Sequence, residues 1–282
     1  MSLSENEIKL ICYTICATLS ILGCLLIVIL GFTCKKLRTF SYRLIIYLAL
    51  ADLLSSICFI IPDNDNTLCK VQAIIMNFSQ LASILITGCI SLSLYVMVAK
   101  ENFSIAMAEK KILGGIIIIP LILTIMPLTT NSYGKSQGWC WIDNDSEYKY
   151  MWMLVEFYAP LMFILAFNIF AYIKVYKKFR DTEYSLLETD VKAKFINRLK
   201  FYPLSLVVCF GIAGVHKIYY IAGGQENFYL DIFAGCVVAL YGFVNSIFYG
   251  FTKTVKSYLR KTFGNWYSYR DNSSSNPSFA KP

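Results

Sequence analysis

The sequence predicts an all-α membrane protein, a seven-transmembrane helix bundle with its N-terminus outside, its C-terminus cytoplasmic and a short amphipathic helix after span seven. Three observations carry that prediction. The 282 residues are 57% hydrophobic and only 16% charged, against about 25% charged in a typical soluble domain. The apolar residues fall in seven long blocks, each near or above the ~17–25 residues that a spanning helix needs. Lysine and arginine crowd onto one set of connecting segments, which gives the chain a direction across the bilayer.

The first block, Leu10–Thr33, follows a lone basic residue, Lys9. It is too long for a signal-peptide core and shows no small-residue cleavage site, so it is read as a retained span. Leu44–Ile61, Val71–Ala99, Ile112–Leu128, Met151–Ile173, Phe201–Ile221 and Phe228–Thr252 follow. The third block would be about 44 Å long at ~1.5 Å per residue, so it should tilt or project from the hydrocarbon. Along it Asn77, Gln80, Ser83, Thr87 and Ser91 recur at steps of three or four, which puts five polar side chains on one helix face. Lipid offers such a stripe no partners. This helix should therefore be surrounded by the others.

With the N-terminus outside, 21 of the 26 lysines and arginines fall on inner segments; Lys9, Lys70, Lys135, Lys149 and Lys217 remain outside. Ten acids are counted outside, Glu156 and Asp231 among them, giving an outer face of net −5 and an inner face of net +14, with Asp52 alone in the membrane. The basic inner face suits anionic cytoplasmic lipid, and the overall charge of +8 is read as topology rather than as nucleic-acid binding. Leu187, Val191, Phe195 and Leu199 form a helical stripe in the loop from Lys174 to Lys200, as if the sixth span extended inward. Lys253–Phe263 mixes basic and apolar residues as a membrane-surface helix does. Residues 1–263 thus make one domain, and the Ser-rich segment 264–282 a disordered cytoplasmic tail.

Of ten cysteines, seven lie within spans and Cys34 at an inner edge, where small packing residues are expected. Only Cys69 and Cys140 face the oxidising side, and they are expected to form a disulfide. That bridge would hold the second outer loop, with Trp139 and Trp141, over the bundle mouth. The two tryptophans suit either ligand contact or interfacial anchoring. Lys70, His216 and Lys217 are the local candidates for meeting an anionic ligand, against a plain snorkelling role for the lysines. Asp52 sits near midplane, where an acid normally faces the interior with a partner, and Asn245 lies at similar depth in the seventh span. Pro160 and Pro203 allow bends and are candidate hinges. Asn144-Asp145-Ser146 is a glycosylation sequon on the outer side. One histidine cannot supply a multi-histidine metal site, and no phosphate-cradling Gly-rich motif or nucleophile–base constellation stands out. The sequence argues for neither an enzyme, a metal nor a cofactor.

Several motifs in sequence order carry a resemblance. They are Lys36-Leu-Arg-Thr-Phe-Ser-Tyr leading into Tyr47-Leu-Ala-Leu-Ala-Asp52-Leu, then Gly138-Trp-Cys-Trp-Ile142, Phe201-Tyr-Pro203, and Gly242-Phe-Val-Asn245-Ser-Ile-Phe-Tyr249-Gly250. Together they resemble the cyclic-AMP-receptor-like G-protein-coupled receptors of slime moulds, from the second span to the seventh. Val98-Ala-Lys-Glu-Asn102 stands where rhodopsin-like receptors carry Asp-Arg-Tyr, and Ser246 replaces the proline of their Asn-Pro-x-x-Tyr. The resemblance implies a plasma-membrane receptor that binds an extracellular ligand, cyclic AMP or another small molecule, and activates a heterotrimeric G protein. Asp52 with Asn245, and Tyr249 of the same motif, is a candidate polar switch, the alternatives at that depth being a sodium site, a proton relay or a plain tie between helices. Two rival classes fit less well. A retinal protein needs a lysine midway along the last span, and Phe228–Thr252 has none. A transporter would have to work with one buried acid and no visible repeat.

Overall fold

The computed structural model describes residues 4–34, 40–62, 65–99, 109–136, 139–181, 201–223, 225 and 227–250, with Val255 and Arg260. The Leu187–Leu199 stripe, most of the 253–263 surface helix, the 264–282 tail, and Lys35, Lys36, Arg38 and Lys100 lie outside these residues.

The protein is an all-α membrane helix bundle. Its helices are α1 (Glu5–Thr33), α2 (Phe40–Cys58), α3 (Asn66–Ala99), α4 (Glu109–Ile125), α5 (Lys149–Trp152), α6 (Ala159–Asp181), α7 (Phe201–Ile221), α8 (Phe228–Ala239) and α9 (Tyr241–Asn245). A wide π turn, Met153–Tyr158, joins α5 to α6, and another, Ser246–Gly250, continues α9. Counting α5–α6 and α8–α9 each as one, the described residues contain seven helical segments. Four meet the length and apolarity of a membrane span (Glu5–Thr33, Asn66–Val96, Glu109–Thr130 and Lys149–Lys178), and α8 with α9 meets them as a bent pair. Apolar side chains such as Ile15, Leu22, Ile118, Phe163 and Val215 point away from the bundle, as lipid-facing residues do.

α3 is the centre. Inside the bundle 72% of its apolar window is buried, against 33% for α1 and 22% for α4. It packs on α2, α4, α6, α7 and both strands of a short hairpin. At 34 residues it is about 51 Å long. The whole polar stripe from Asn77 to Ser91 is buried, because every side of this helix meets protein.

An addition to the helical expectation is that hairpin. β1 (Tyr133–Lys135) pairs antiparallel with β2 (Cys140–Ile142), Lys135 opposite Cys140. It closes one end of the bundle. The core divides into two apolar clusters, one at the hairpin end around Tyr13, Phe59, Trp141, Phe157 and Phe210, the other around Ile27, Leu44, Leu48, Ile90 and Val175.

The last segment is bent: α8 and α9 meet at 41° around Leu240 with no proline present. Ser20 of α1 sits at the break. Its hydroxyl donates to the Ala239 carbonyl (2.5 Å) and accepts from the Phe243 amide (3.1 Å). A break in a membrane helix frees backbone groups that lipid cannot satisfy, and Ser20 supplies both a donor and an acceptor. Gly242 permits the close approach, since a Cβ there would meet Asp52 Cβ at 3.1 Å and Cys24 Sγ at 3.0 Å.

As to the expected hinges, Pro160 is the second residue of α6, immediately after the Met153–Tyr158 π turn. A proline ring crowds the carbonyl four residues back, and the wider turn gives that carbonyl room. Pro203 lies in the first described turn of α7, and Pro120, not singled out from sequence, is buried inside α4.

Ser20→Ala leaves a buried carbonyl and amide without their partner. It should lower stability by about 1–3 kcal/mol, read as a fall in melting temperature of the protein in detergent; an unchanged melting temperature would mean that the bend does not depend on α1.

Candidate functional site

Three polar centres lie within the bundle. The first lies directly under the hairpin. Asn77 of α3 donates from Nδ2 to Glu156 Oε2 (2.9 Å) and to the Tyr133 hydroxyl (3.0 Å), and accepts from Trp141 Nε1 (3.0 Å). Tyr133 in turn donates to the Thr124 carbonyl of α4 (2.9 Å). Burial, followed by the neighbouring Glu156 carboxyl, pushes the Tyr133 hydroxyl far above its usual titration range, so it remains a donor. One asparagine therefore ties α3, α4, the hairpin and the π turn together. The Cys69–Cys140 disulfide fixes the same hairpin to the start of α3, with Cα atoms 5.3 Å apart.

The second centre joins α1, α7 and α8. Asp231 accepts from Lys9 Nζ (2.8 Å) on one carboxylate oxygen, and from the Tyr220 hydroxyl (2.9 Å) on the other, which also pairs with His216 Nε2 (2.8 Å). Tyr13 donates to the Asp231 carbonyl (3.1 Å). Beside this group Lys217 is buried, 4% exposed, with its ammonium on Ser136 Oγ (3.0 Å) and 5.8 Å from the ring centroids of both Trp139 and Trp141.

The third centre is at mid-bundle. Asp52 is 3% exposed; Ser83 donates to its Oδ1 (2.5 Å) and Asn245 Nδ2 to its Oδ2 (2.8 Å). Three helices, α2, α3 and α9, meet on one carboxyl. Tyr249 lies in the following π turn; its side chain is outside the described residues.

At the hairpin end opens a vestibule of about 800 Å³ between the start of α1, the end of α2 and the hairpin. Tyr13, Phe59 and Trp139 line it in mutual contact, ring centroids 6.1–6.2 Å apart. Lys9, Lys135 and Gln72 supply polar lining. Gln72 Nε2 donates to the Cys58 carbonyl (2.7 Å), while its buried Oε1 has no partner.

The expected ligand residues separate in this geometry. Trp139 lines the vestibule, whereas Trp141 turns inward to Asn77. His216 and Lys217 are buried contacts rather than surface cations, and Lys70 pairs with Asn131 (2.9 Å) at the rim. Asn144 sits half-buried in the turn after β2, its carbonyl accepting from Lys149 Nζ (2.6 Å). Among the described residues no group of three or more His, Cys, Asp or Glu side chains could hold a metal.

One expectation is overturned. Asp52 is not the only acid within the bundle, because Glu156 is 0% and Asp231 3% exposed. Both were counted as outer-face charges although Glu156 lies inside the Met151–Ile173 block and Asp231 inside Phe228–Thr252. That position within the blocks was the available signal. Charge counting treats acids near a span end as solvated, whereas here hydrogen-bond donors on neighbouring helices draw them in. Ser20, Tyr133 and Gln72 gave no signal, since each matters only through a residue far away in sequence.

The slime mold cyclic AMP receptor family model matches residues 1–262. G-protein coupled receptor 1 of Arabidopsis thaliana is 29% identical over 251 residues, covering 85% of the chain and 77% of that protein. Cyclic AMP receptor-like protein A of Dictyostelium discoideum is 26% identical over 240 residues, 83% of the chain and 62% of that protein. G-protein coupled receptor 157 of Mus musculus is 30% identical over 164 residues, 52% of the chain and 49% of that protein. The chain thus spans less than two thirds of the length of the latter two relatives.

Asn77→Leu would strip partners from Glu156, Tyr133 and Trp141 at once. Its cost should exceed that of Trp141→Phe, which removes one hydrogen bond, by about 1–3 kcal/mol. Melting curves of the two variants beside the parent test this, and equal costs would show that Asn77 does not hold the hairpin.

Proposed function

Since the chain belongs to the slime mold cyclic AMP receptor family, we propose that it is a G-protein-coupled receptor of the plasma membrane rather than an enzyme. It crosses the bilayer seven times with the hairpin end outside and the C-terminus in the cytoplasm, in line with the distribution of its lysines and arginines. An extracellular ligand, cyclic AMP or another small molecule, enters beneath the hairpin. Its binding favours one of two packings of the helices and so activates a heterotrimeric G protein at the inner end. No cofactor or metal takes part.

The observation that carries this reading is the vestibule. It is a concave space in which three aromatic rings stand among a mainly polar lining, more polar than the usual small-molecule site and suited to a polar ligand. Its wall is held by the Cys69–Cys140 bridge, and Trp139 contributes to both wall and lining. Although the outer face is acidic overall, Lys9 and Lys135 face this space, so local charge there differs from the sum over the surface. His216, Lys217 and Trp141 support the site from below, and Lys70 from the rim.

Asp52 with Asn245 and Tyr249 acts as the polar switch. A ligand moves such an equilibrium only through its preference for one packing, and the carboxyl joining three helices is a place where two packings differ in hydrogen bonding. Pro160 and Pro203 serve as hinges, and Asn144 as a glycosylation acceptor.

The test is nucleotide exchange on the G proteins of the host, with receptor in lipid nanodiscs and a ligand panel that includes cyclic nucleotides. An active ligand should accelerate exchange; failure with every G protein would sink the proposal. Asp52→Asn should keep the fold but cut ligand-stimulated exchange about tenfold, a coupling loss of ~1.4 kcal/mol. Exchange at the parental rate would remove Asp52 from the switch.

A further inference from the structure

The Lys9–Asp231 pair lies between the vestibule and the helices that would have to move. Lys9 lines the vestibule, and Asp231 stands behind it. The two side chains are 14% and 4% exposed and 2.8 Å apart. They connect the first helix to the last across 222 residues of sequence. We propose that this ion pair is the latch of the receptor: an anionic group entering the vestibule draws the Lys9 ammonium off Asp231 and loosens the outer part of α1 from α8. The opening step rests on the receptor reading above; the latch itself does not.

Two features make Lys9, rather than another lining group, the point of exchange. An ammonium carries three donors, and one of Lys9's goes to Asp231 while the Phe228 ring lies 5.7 Å away. The other charged group of α1 on the lining, Glu7, is turned onto the helix start. Its Oε2 accepts from the Ser4 amide (2.7 Å) and the Ser4 hydroxyl (2.9 Å). A carboxylate held in that capping box has little to offer a ligand. An anion in the vestibule therefore meets a cation whose present partner is a buried acid.

Loss of one partner from a buried ion pair is ordinarily severe, because the other charge is stranded. Asp231 is arranged against that outcome. When Lys9 leaves, the Tyr220 hydroxyl and His216 Nε2 remain on the other carboxylate oxygen, at 2.9 and 2.8 Å. Both belong to α7. Release of Lys9 thus leaves the Asp231 carboxylate to α7 alone, with the Tyr13 hydroxyl on the Asp231 carbonyl as the hydrogen bond that α1 keeps there. The ring of Tyr13 also sets the distance between α1 and α8, since a Cβ at Gly235 would strike it. What loosens is the contact of α1 with the half-helix that ends at the 41° bend, the part of the last helix free to pivot on Ser20.

The experiment measures the distance between spectroscopic labels on the exposed positions Glu5 of α1 and Tyr229 of α8, in nanodiscs and without a G protein. Lys9→Met and the charge-neutral double variant Lys9→Met with Asp231→Asn should both lengthen or broaden it. The double variant removes both charges of the pair together, so its result stands even if Lys9→Met folds poorly. The exchanged pair, Lys9→Asp with Asp231→Lys, should return towards the parental distance. Millimolar inorganic phosphate or triphosphate should lengthen the parental distance, chloride of equal ionic strength should not, and the double variant should not respond to either. An unchanged distance in the double variant overturns the latch. A parental distance indifferent to both phosphates overturns the anion step. Basal nucleotide exchange raised several-fold by the double variant supports the coupling of the latch to signalling. A longer distance with unchanged exchange keeps the latch and counts against the G-protein reading instead.

Discussion

A polar group inside a lipid-embedded bundle has to be answered by another part of the protein, and the architecture follows from that requirement. Water is not at hand to solvate a buried carboxyl or a broken helix turn. Asp52 is answered by Ser83 and Asn245, Glu156 by Asn77, and Asp231 by Lys9, His216 and Tyr220. Each answer comes from a helix other than the acid's own. The polar contacts are consequently directional ties between helices, whereas the apolar contacts around them are not. A hydrophobic bundle in lipid has little driving force to choose one packing over another; these ties choose it.

The distribution of ties also explains why the two ends of the bundle differ. At the hairpin end, the disulfide, the Asn77 group and the Asp231 group all bind connecting segments and helix starts into one assembly. The opposite cluster, around Ile27, Leu48, Ile90 and Val175, is mainly aliphatic, and away from the hairpin the Arg43–Glu109 ion pair ties α2 to α4. α3 serves both ends, since it carries Cys69, Asn77 and Ser83 in succession along its buried length.

Some polar atoms within the bundle have no answer in this packing. Both side-chain atoms of Asn168 on α6, the hydroxyl of Ser91 on α3 and Glu156 Oε1 are buried without a hydrogen-bond partner. α3 and α6 pack against each other, with Ile164 where a Cβ on Gly88 would fall, so Asn168 and Ser91 occupy neighbouring levels of one interface. Orphaned polar groups at a helix interface are costly to keep.

Much of this was written plainly in the chain. Block length and apolarity placed the helices, because the bilayer core sets the length of any spanning element. The three-and-four spacing from Asn77 to Ser91 identified α3 as the enclosed helix, because lipid tolerates no such stripe. Compartment chemistry paired Cys69 with Cys140, and depth alone pointed Asp52 towards Asn245. The hairpin, the bend at Leu240 and its filling by Ser20, the vestibule, and the inward positions of Glu156, Asp231 and Lys217 came only with the tertiary structure. Periodicity and charge report on one helix and its surroundings at a time. The protonic partners of Glu156 or Asp231 lie on other helices, tens to hundreds of residues away, and whether an acid at the edge of a span turns to water or into the bundle depends on which of them packing brings within three ångströms or so.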